Sequence, residues 1–156
     1  MMTYLPLNGQ KFGYINTQLL IEEIPEVQEA NSNIETFRNQ LQKKGKEMLL
    51  SLQEKAKELE QKQAQGDISP KQLDIEAQKL KEEEQTILLF EQESQSKLLK
   101  KSEDLLKPLR DKIQNAIDEV AKEDNYDYIF DYGAGFVLYA EEGTDVSAKV
   151  KAKLKL

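Results

Sequence analysis

"AQGDISPKQ", residues 64–72, is the stretch on which the fold turns, because four of its residues are those that end one helix and begin another. Gly66 suits the position just past a helix C-terminus. Ser69 suits an N-cap, Pro70 the first helical position, and Gln72 the reciprocal partner of a capping box. A helix, a tight turn and a second helix are the expectation.

The flanks carry the matching periodicity. Before the turn, Ile34, Phe37, Leu41, Gly45, Met48, Leu52, Ala56, Leu59 and Gln63 recur at spacings 3, 4, 4. This is an eleven-residue repeat, and it predicts a nearly straight or slightly right-handed seam. Gly45 and Gln63 make it imperfect. After the turn come Leu73, Ala77, Leu80, Ile87 and Leu98, then a denser stripe of Leu105, Leu109, Ile113, Ala116 and Val120. A short loop makes neighbouring helices antiparallel, so residues 25–108 read as a helical-hairpin arm with its tip near 64–70. At about 1.5 Å per residue, roughly 41 residues of helix reach about 60 Å.

Folding back at about residue 67 brings the two ends of the chain together, and the ends hold nine of the eleven aromatics. "KFGYIN" (11–16) alternates Phe12 and Tyr14 against Gly13 and Ile15 and reads as a strand. "YDYIFDY" (126–132) reads as a second strand, and "FVLYA" (136–140) as a third after the turn "GAG". Asp145 caps a last helix carrying Val146, Val150 and Leu154 at i, i+4, i+8. The expected fold class is therefore α+β, mostly α, with a β-body from residues 11–24 and 109–156, and residues 1–10 as a leader remnant or flexible start. Such a small sheet has open edges and is marginal alone. Oligomerisation would cover them, joining the small sheets of several chains into one body from which the arms project. The residues assigned to that interface are Phe12, Tyr14, Ile15, Ile129, Phe130, Val137, Leu138 and Tyr139.

Composition limits function. Among 156 residues, 38% are hydrophobic and 33% charged, which leaves little for a spherical core and favours an elongated shape. Cys and His are absent, so there is neither thiolate nor imidazole for catalysis, and "GAG" lacks the context of a phosphate loop. No enzyme activity, cofactor or metal site is expected. A net charge of −7 argues against a general nucleic-acid binder. No apolar run approaches the roughly 20 residues of a membrane span. "MMTYLPLNGQ" lacks the pattern of a signal peptide, so either the chain is cytosolic or a leader has been removed.

The terminal segments resemble a known family. "KFGYINTQLLIEEIPEVQEA" is similar to the opening strand, helix start and Ile-Pro-Glu step of the Skp (OmpH-like) periplasmic chaperones, and "YDYIFDYGAGFVLYAEEGTDVSAKV" to their closing hairpin and helix cap. The resemblance covers about residues 11–154. It implies a homotrimer with a small β-barrel body, located in the periplasm, whose arms enclose unfolded outer-membrane proteins without ATP. On that reading Leu52, Ala56, Leu59, Ile68, Leu73, Leu80 and Ile87 are the candidate client contacts, although such a stripe is most often the seam of the hairpin itself. Pro25 and Pro108, equidistant from the turn, are the candidate hinge.

Charge departs from the basic members of that family. Residues 38–66 carry seven basic and four acidic side chains, and residues 67–104 carry six and ten. The arm is nearly neutral, which argues against binding lipopolysaccharide or an anionic membrane. The alternatives are a scaffold coiled coil and a prefoldin-like cytosolic chaperone. In the latter the β-elements lie between the two helices, whereas here they lie outside them.

Overall fold

The computed structural model describes residues 9–135, 137–140 and 142–156. The elements are β1 (Phe12–Ile15), α1 (Thr17–Glu22), α2 (Pro25–Gln65), α3 (Pro70–Glu123), β2 (Tyr128–Asp131), a single 3-10 turn at Glu142–Thr144, and α4 (Ser147–Leu154). The chain divides into two compact units, one comprising residues up to Asn31 with Asp104–Leu156, the other Ser32–Glu103. The division falls inside the arm expected from sequence, at 31/32 and 103/104, because the first turns of α2 and the last turns of α3 pack into the core of the first unit.

The turn forms by the chemistry its residues suggest. Gly66 has φ +75, and the N–H groups of Gly66 and Asp67 donate to the carbonyls of Gln63 and Lys62 at 3.2 and 2.9 Å. This is the Schellman closure, which satisfies carbonyls that a helix end leaves without partners. Ser69 Oγ accepts from the Gln72 N–H at 3.3 Å. The reciprocal half of the capping box is not made: the Gln72 amide instead donates to Glu76 Oε1 at 2.9 Å, one helical turn onward.

In the unit Ser32–Glu103, α2 and α3 are antiparallel, since Gly45 lies against Phe90 while Lys55, further along α2, meets Glu83, earlier on α3. The eleven-residue stripe faces the partner helix. Ile34 is buried and Phe37, Leu41, Gly45, Met48, Leu52 and Leu59 are half-buried, whereas Ala56 and Gln63 are exposed. On α3 the inward positions from Leu73 to Ser94 follow spacings 3, 4, 3, 4, 3, 4, which places Glu76 and Glu83 at the seam and leaves Ala77 exposed. Lys55 Nζ reaches both Glu83 carboxylate oxygens at 2.7 and 2.8 Å and neutralises one of these polar intrusions. Gly45 costs helix stability, about 1 kcal/mol relative to Ala. Nothing in the packing demands it, because an added Cβ would stand 3.5 Å from Phe90, an ordinary contact.

In the other unit, β1 and β2 pair in parallel, with Phe12 opposite Tyr128 and Tyr14 opposite Phe130. Parallel pairing is possible because the crossover between the strands is the whole helical segment. One face of this two-strand sheet, with Gly13, Ile15 and Ile129, lies on a core of Leu20, Ile24, Val27, Ile113, Ala116, Val120, Val146, Val150 and Leu154. Each aliphatic side chain fully buried there contributes about 1.5–3 kcal/mol. The buried core is thus aliphatic, and of the terminal aromatics Tyr126, partly buried, packs against it beside Gly13. The expected hairpin partner "FVLYA" forms no strand over the described residues 137–140, and Phe136 lies outside the described residues. β2 pairs with β1, and among the described residues Leu138 and Tyr139 are left exposed.

Asp145 acts one residue earlier than an N-cap, its carboxylate accepting from the Ser147 N–H at 2.8 Å while Val146 occupies the cap position. Lys149, Lys151 and Lys153 of α4 pair with Asp124, Glu23 and Glu123. The hydrogen bond from Lys149 holds the Asp124 carboxyl below its ordinary range.

Asp131 ties the end of β2 to the start of α1. It accepts from the Thr17 N–H at 3.2 Å, the Thr17 hydroxyl at 2.5 Å and the Gly133 N–H at 2.9 Å. A Cβ at Gly133 would lie 2.6 Å from Asn16 Oδ1 and would displace the side chain that caps α1 through the Leu19 N–H. Partial burial pushes the Asp131 carboxyl up, but the hydrogen bonds from Thr17, Gly133 and Ala134 outweigh it and leave the pKa lowered. A depressed carboxyl stabilises the fold above its unfolded pKa and stops doing so as pH falls through the folded one. Melting temperature is therefore expected to drop as pH falls below about 4, and Asp131→Asn should flatten part of that drop. Identical pH profiles for parent and variant in thermal melts would show that the clamp is not its source.

Candidate functional site

The alternation that sends Ile15 and Ile129 inward sends Phe12, Tyr128 and Phe130 outward, where they are 44%, 53% and 47% exposed. Their rings contact one another, with centroids 5.8 Å apart for Phe12–Tyr128, 6.0 Å for Phe12–Phe130 and 6.1 Å for Tyr128–Phe130. Tyr14 and Tyr132 form a further pair at 5.9 Å. A groove beside them is lined by Phe12, Tyr14, Phe130, Val137, Leu138 and Tyr139. Leu138 is 93% exposed and Tyr139 85%. Contiguous exposed apolar surface of this kind marks an interaction site. The predicted interface residues are therefore of two sorts. Phe12, Tyr14, Phe130, Val137, Leu138 and Tyr139 share this surface, whereas Ile15 is buried and Ile129 packs on the chain's own core. Within the single chain these two point inward, because side chains one apart on a strand point to opposite faces.

On the hairpin, most of the predicted client contacts lie where the two helices face each other. Ile87 is buried, and Leu52, Leu59, Ile68, Leu73 and Leu80 are half-buried between or beside the helices; Ala56 is exposed. Ile87 is corrected to a packing residue. The apolar side chains that the hairpin leaves exposed are others: Leu49, Leu50, Ile75, Leu88, Leu89 and Leu99. A signal for them is present in the doublets Leu49-Leu50, Leu88-Leu89 and Leu98-Leu99. Adjacent helical residues point about 100° apart, so both members of a doublet cannot enter one narrow seam. The two candidate hinge residues differ. Pro25 is the first residue of α2, where its missing N–H costs nothing, and Pro108 stands inside α3.

Among the described residues there is no group of three or more side chains placed to hold a metal ion. No described helix is long and apolar enough to cross a membrane.

A helical hairpin joined in one chain to a two-strand body with an outward aromatic face defines an α+β protein that offers apolar surface in both of its units. The family described as "Outer membrane protein (OmpH-like)" matches residues 11–154, and the chain belongs to that family. A crystal structure from Caulobacter crescentus CB15, provisionally described as an OmpH-like outer membrane chaperone, has a similar fold, with TM-score 0.78 at 14% identity over 100% of this chain and 91% of that one. No curated protein matches the sequence.

Proposed function

We propose that this chain is an ATP-independent holdase of the periplasm, a homotrimer whose arms hold unfolded outer-membrane proteins and keep them from aggregating. The observation that carries the reading is the set of leucines left exposed along the hairpin, outside the positions that face the partner helix. Adjacent exposed pairs, Leu49-Leu50 and Leu88-Leu89, with Ile75 and Leu99 on the same hairpin, favour a surface that binds apolar segments of unfolded chains. Family membership and the description of the Caulobacter structure support the same reading. The near-neutral arm makes apolar contact the main source of affinity.

At stoichiometric amounts the protein should suppress aggregation of a urea-diluted β-barrel protein, and a scaffold should not. Suppression should change little between low and moderate salt, because screening over about 8–10 Å removes little where few charges act together. No suppression at equimolar chain would end the holdase reading; a steep loss with salt would show that charge patches dominate.

Pro108 is the hinge candidate that this reading retains. Its ring removes one helical hydrogen bond and lowers the cost of bending. Pro108→Ala should then narrow the distance distribution between spin labels at Gln65 of different protomers. An equally broad distribution in the variant would place any flexibility elsewhere.

A further inference from the structure

The hairpin has a stretch where its packing is deficient in more than one way. Ile34 of α2 and Ile87 of α3 are buried, but over residues 35–48 and 88–103 no residue of either helix is. The stretch holds a groove of about 520 Å³, lined in part by Leu41 and Gly45 of α2 and by Phe90, Ser94 and Leu98 of α3. Ser94 Oγ is shielded from solvent and has no hydrogen-bond partner among the described residues. An unpaired buried hydroxyl is unfavourable, and here water reaches it only if the helices part. On the facing helix Gly45 has no side chain, although a Cβ would stand at an ordinary 3.5 Å from Phe90. Glycine in a helix interior is conformationally freer than alanine and leaves α2 weaker at that point.

Little opposes a local parting of the helices there. Leu41, Phe90 and Leu98 are only half-buried. Lys44 Nζ lies 5.3 Å from the centre of the Phe90 ring, a cation–π contact across the two helices, and such a contact is weak at an exposed site. Nearer the tip the situation differs, because Glu83, the polar group at that seam position, has Lys55 Nζ as its partner at 2.7 and 2.8 Å.

We propose that Gly45 and Ser94 mark a built-in opening point of the hairpin, where α2 and α3 part locally, water hydrates Ser94 Oγ, and residues 46–89 swing as one body relative to the rest of the hairpin. Leu49, Leu50, Ile75, Leu88 and Leu89, exposed apolar residues of the hairpin, all lie in that tipward part, and Leu99 lies outside it. Opening at this point therefore re-aims most of the surface that the holdase reading assigns to clients. The use of the motion rests on that reading; the opening itself does not.

Hydrogen exchange of the full chain tests the opening. Relative to intrinsic rates, amides of 42–48 and 91–97 in the parent should exchange at least about tenfold faster than those of 52–59 and 76–83. Ser94→Ala removes the unpaired hydroxyl and should slow both of the faster segments about tenfold. Gly45→Ala should slow both about fivefold. A residue that only stabilised its own helix would leave the facing segment unchanged, so the decisive readout is the helix without the substitution.

Spin labels separate this motion from one at Pro108. The chain has no cysteine, so Asn39→Cys and Gln65→Cys, both at exposed positions, each place one label per protomer. Gly45→Ala should narrow the distance distribution between protomers at position 65 and leave that at position 39 unchanged. Both positions belong to the unit Ser32–Glu103, so Pro108→Ala should narrow both. Parent exchange no faster at 42–48 and 91–97 than at the tipward segments, slowing confined to the substituted helix, or equal narrowing at both label positions in Gly45→Ala would each overturn the proposal. In a chain that proves monomeric the exchange results decide alone. The expected exchange pattern in a chain that fails to suppress aggregation would keep the opening point and end the holdase reading; suppression without that pattern would do the reverse.

Discussion

Replacing Leu138 with Asp is expected to turn the proposed trimer into monomers while each chain keeps its fold. Leu138 is 93% exposed in the single chain, so the substitution touches none of that chain's own packing. In an assembly that covers the aromatic face, the same side chain would be buried once per protomer. Losing it removes about 1.5–3 kcal/mol of apolar burial per copy. Placing a carboxylate there adds a desolvation cost of several kcal/mol unless it is paired. A closed ring repeats the penalty at every contact. Light scattering should give about three times 18.0 kDa for the parent and one times for the variant, with unchanged helical circular dichroism. Ile129→Asp should behave differently and destabilise the chain itself, since Ile129 packs on the core. A parent that is monomeric at micromolar concentration, or a Leu138→Asp variant that remains trimeric, would remove the aromatic face as the interface.

The contrast between Leu138 and Ile129 shows what the sequence could and could not reveal. Alternation made "KFGYIN" and "YDYIFDY" legible as strands, and β1 and β2 are found there. The face each residue takes was less legible, because large apolar side chains at both parities invite grouping by type. The period of two separates them: Ile15 and Ile129 go in, Phe12 and Phe130 go out. That the two ends of the chain share a β-body was legible, but the parallel register of β2 on a strand more than a hundred residues earlier was not, since no local signal specifies it. The turn was legible because its signals are local. Gly66, Ser69 and Pro70 act within four residues of their partners, and only the Gln72 side chain, free to choose between the cap and Glu76, departed from expectation. Among the candidate binding residues, the stripe was correctly spaced but its meaning was internal. The exposed leucines stood beside it as doublets, visible only once the seam positions were known.

Val150→Asp should abolish cooperative folding of the unit that holds the strands while leaving helical signal from Ser32–Glu103. Val146, Val150 and Leu154 are 0%, 0% and 6% exposed, and α4 reaches the core of Leu20, Ile24 and Val120 through this one stripe. The change forfeits about 1.5–3 kcal/mol of burial and strands a carboxylate among aliphatic side chains at a cost of several kcal/mol more. Together these approach the whole stability of an ordinary domain, about 5–15 kcal/mol. The ion pairs of Lys149, Lys151 and Lys153 cannot hold α4 in place, because exposed pairs contribute only about 0–1 kcal/mol each. Lys151→Ala should accordingly be almost silent. Burial would raise the pKa of the introduced carboxyl in the folded state, so the deficit should shrink as pH falls below that raised value. Hydrogen exchange resolves the two units: protection should vanish across 12–31 and 104–154 and persist across 32–103. If protection is lost throughout, the hairpin depends on the strand-bearing unit for its stability. If it is kept throughout, α4 is dispensable to the core on which β1 and β2 lie.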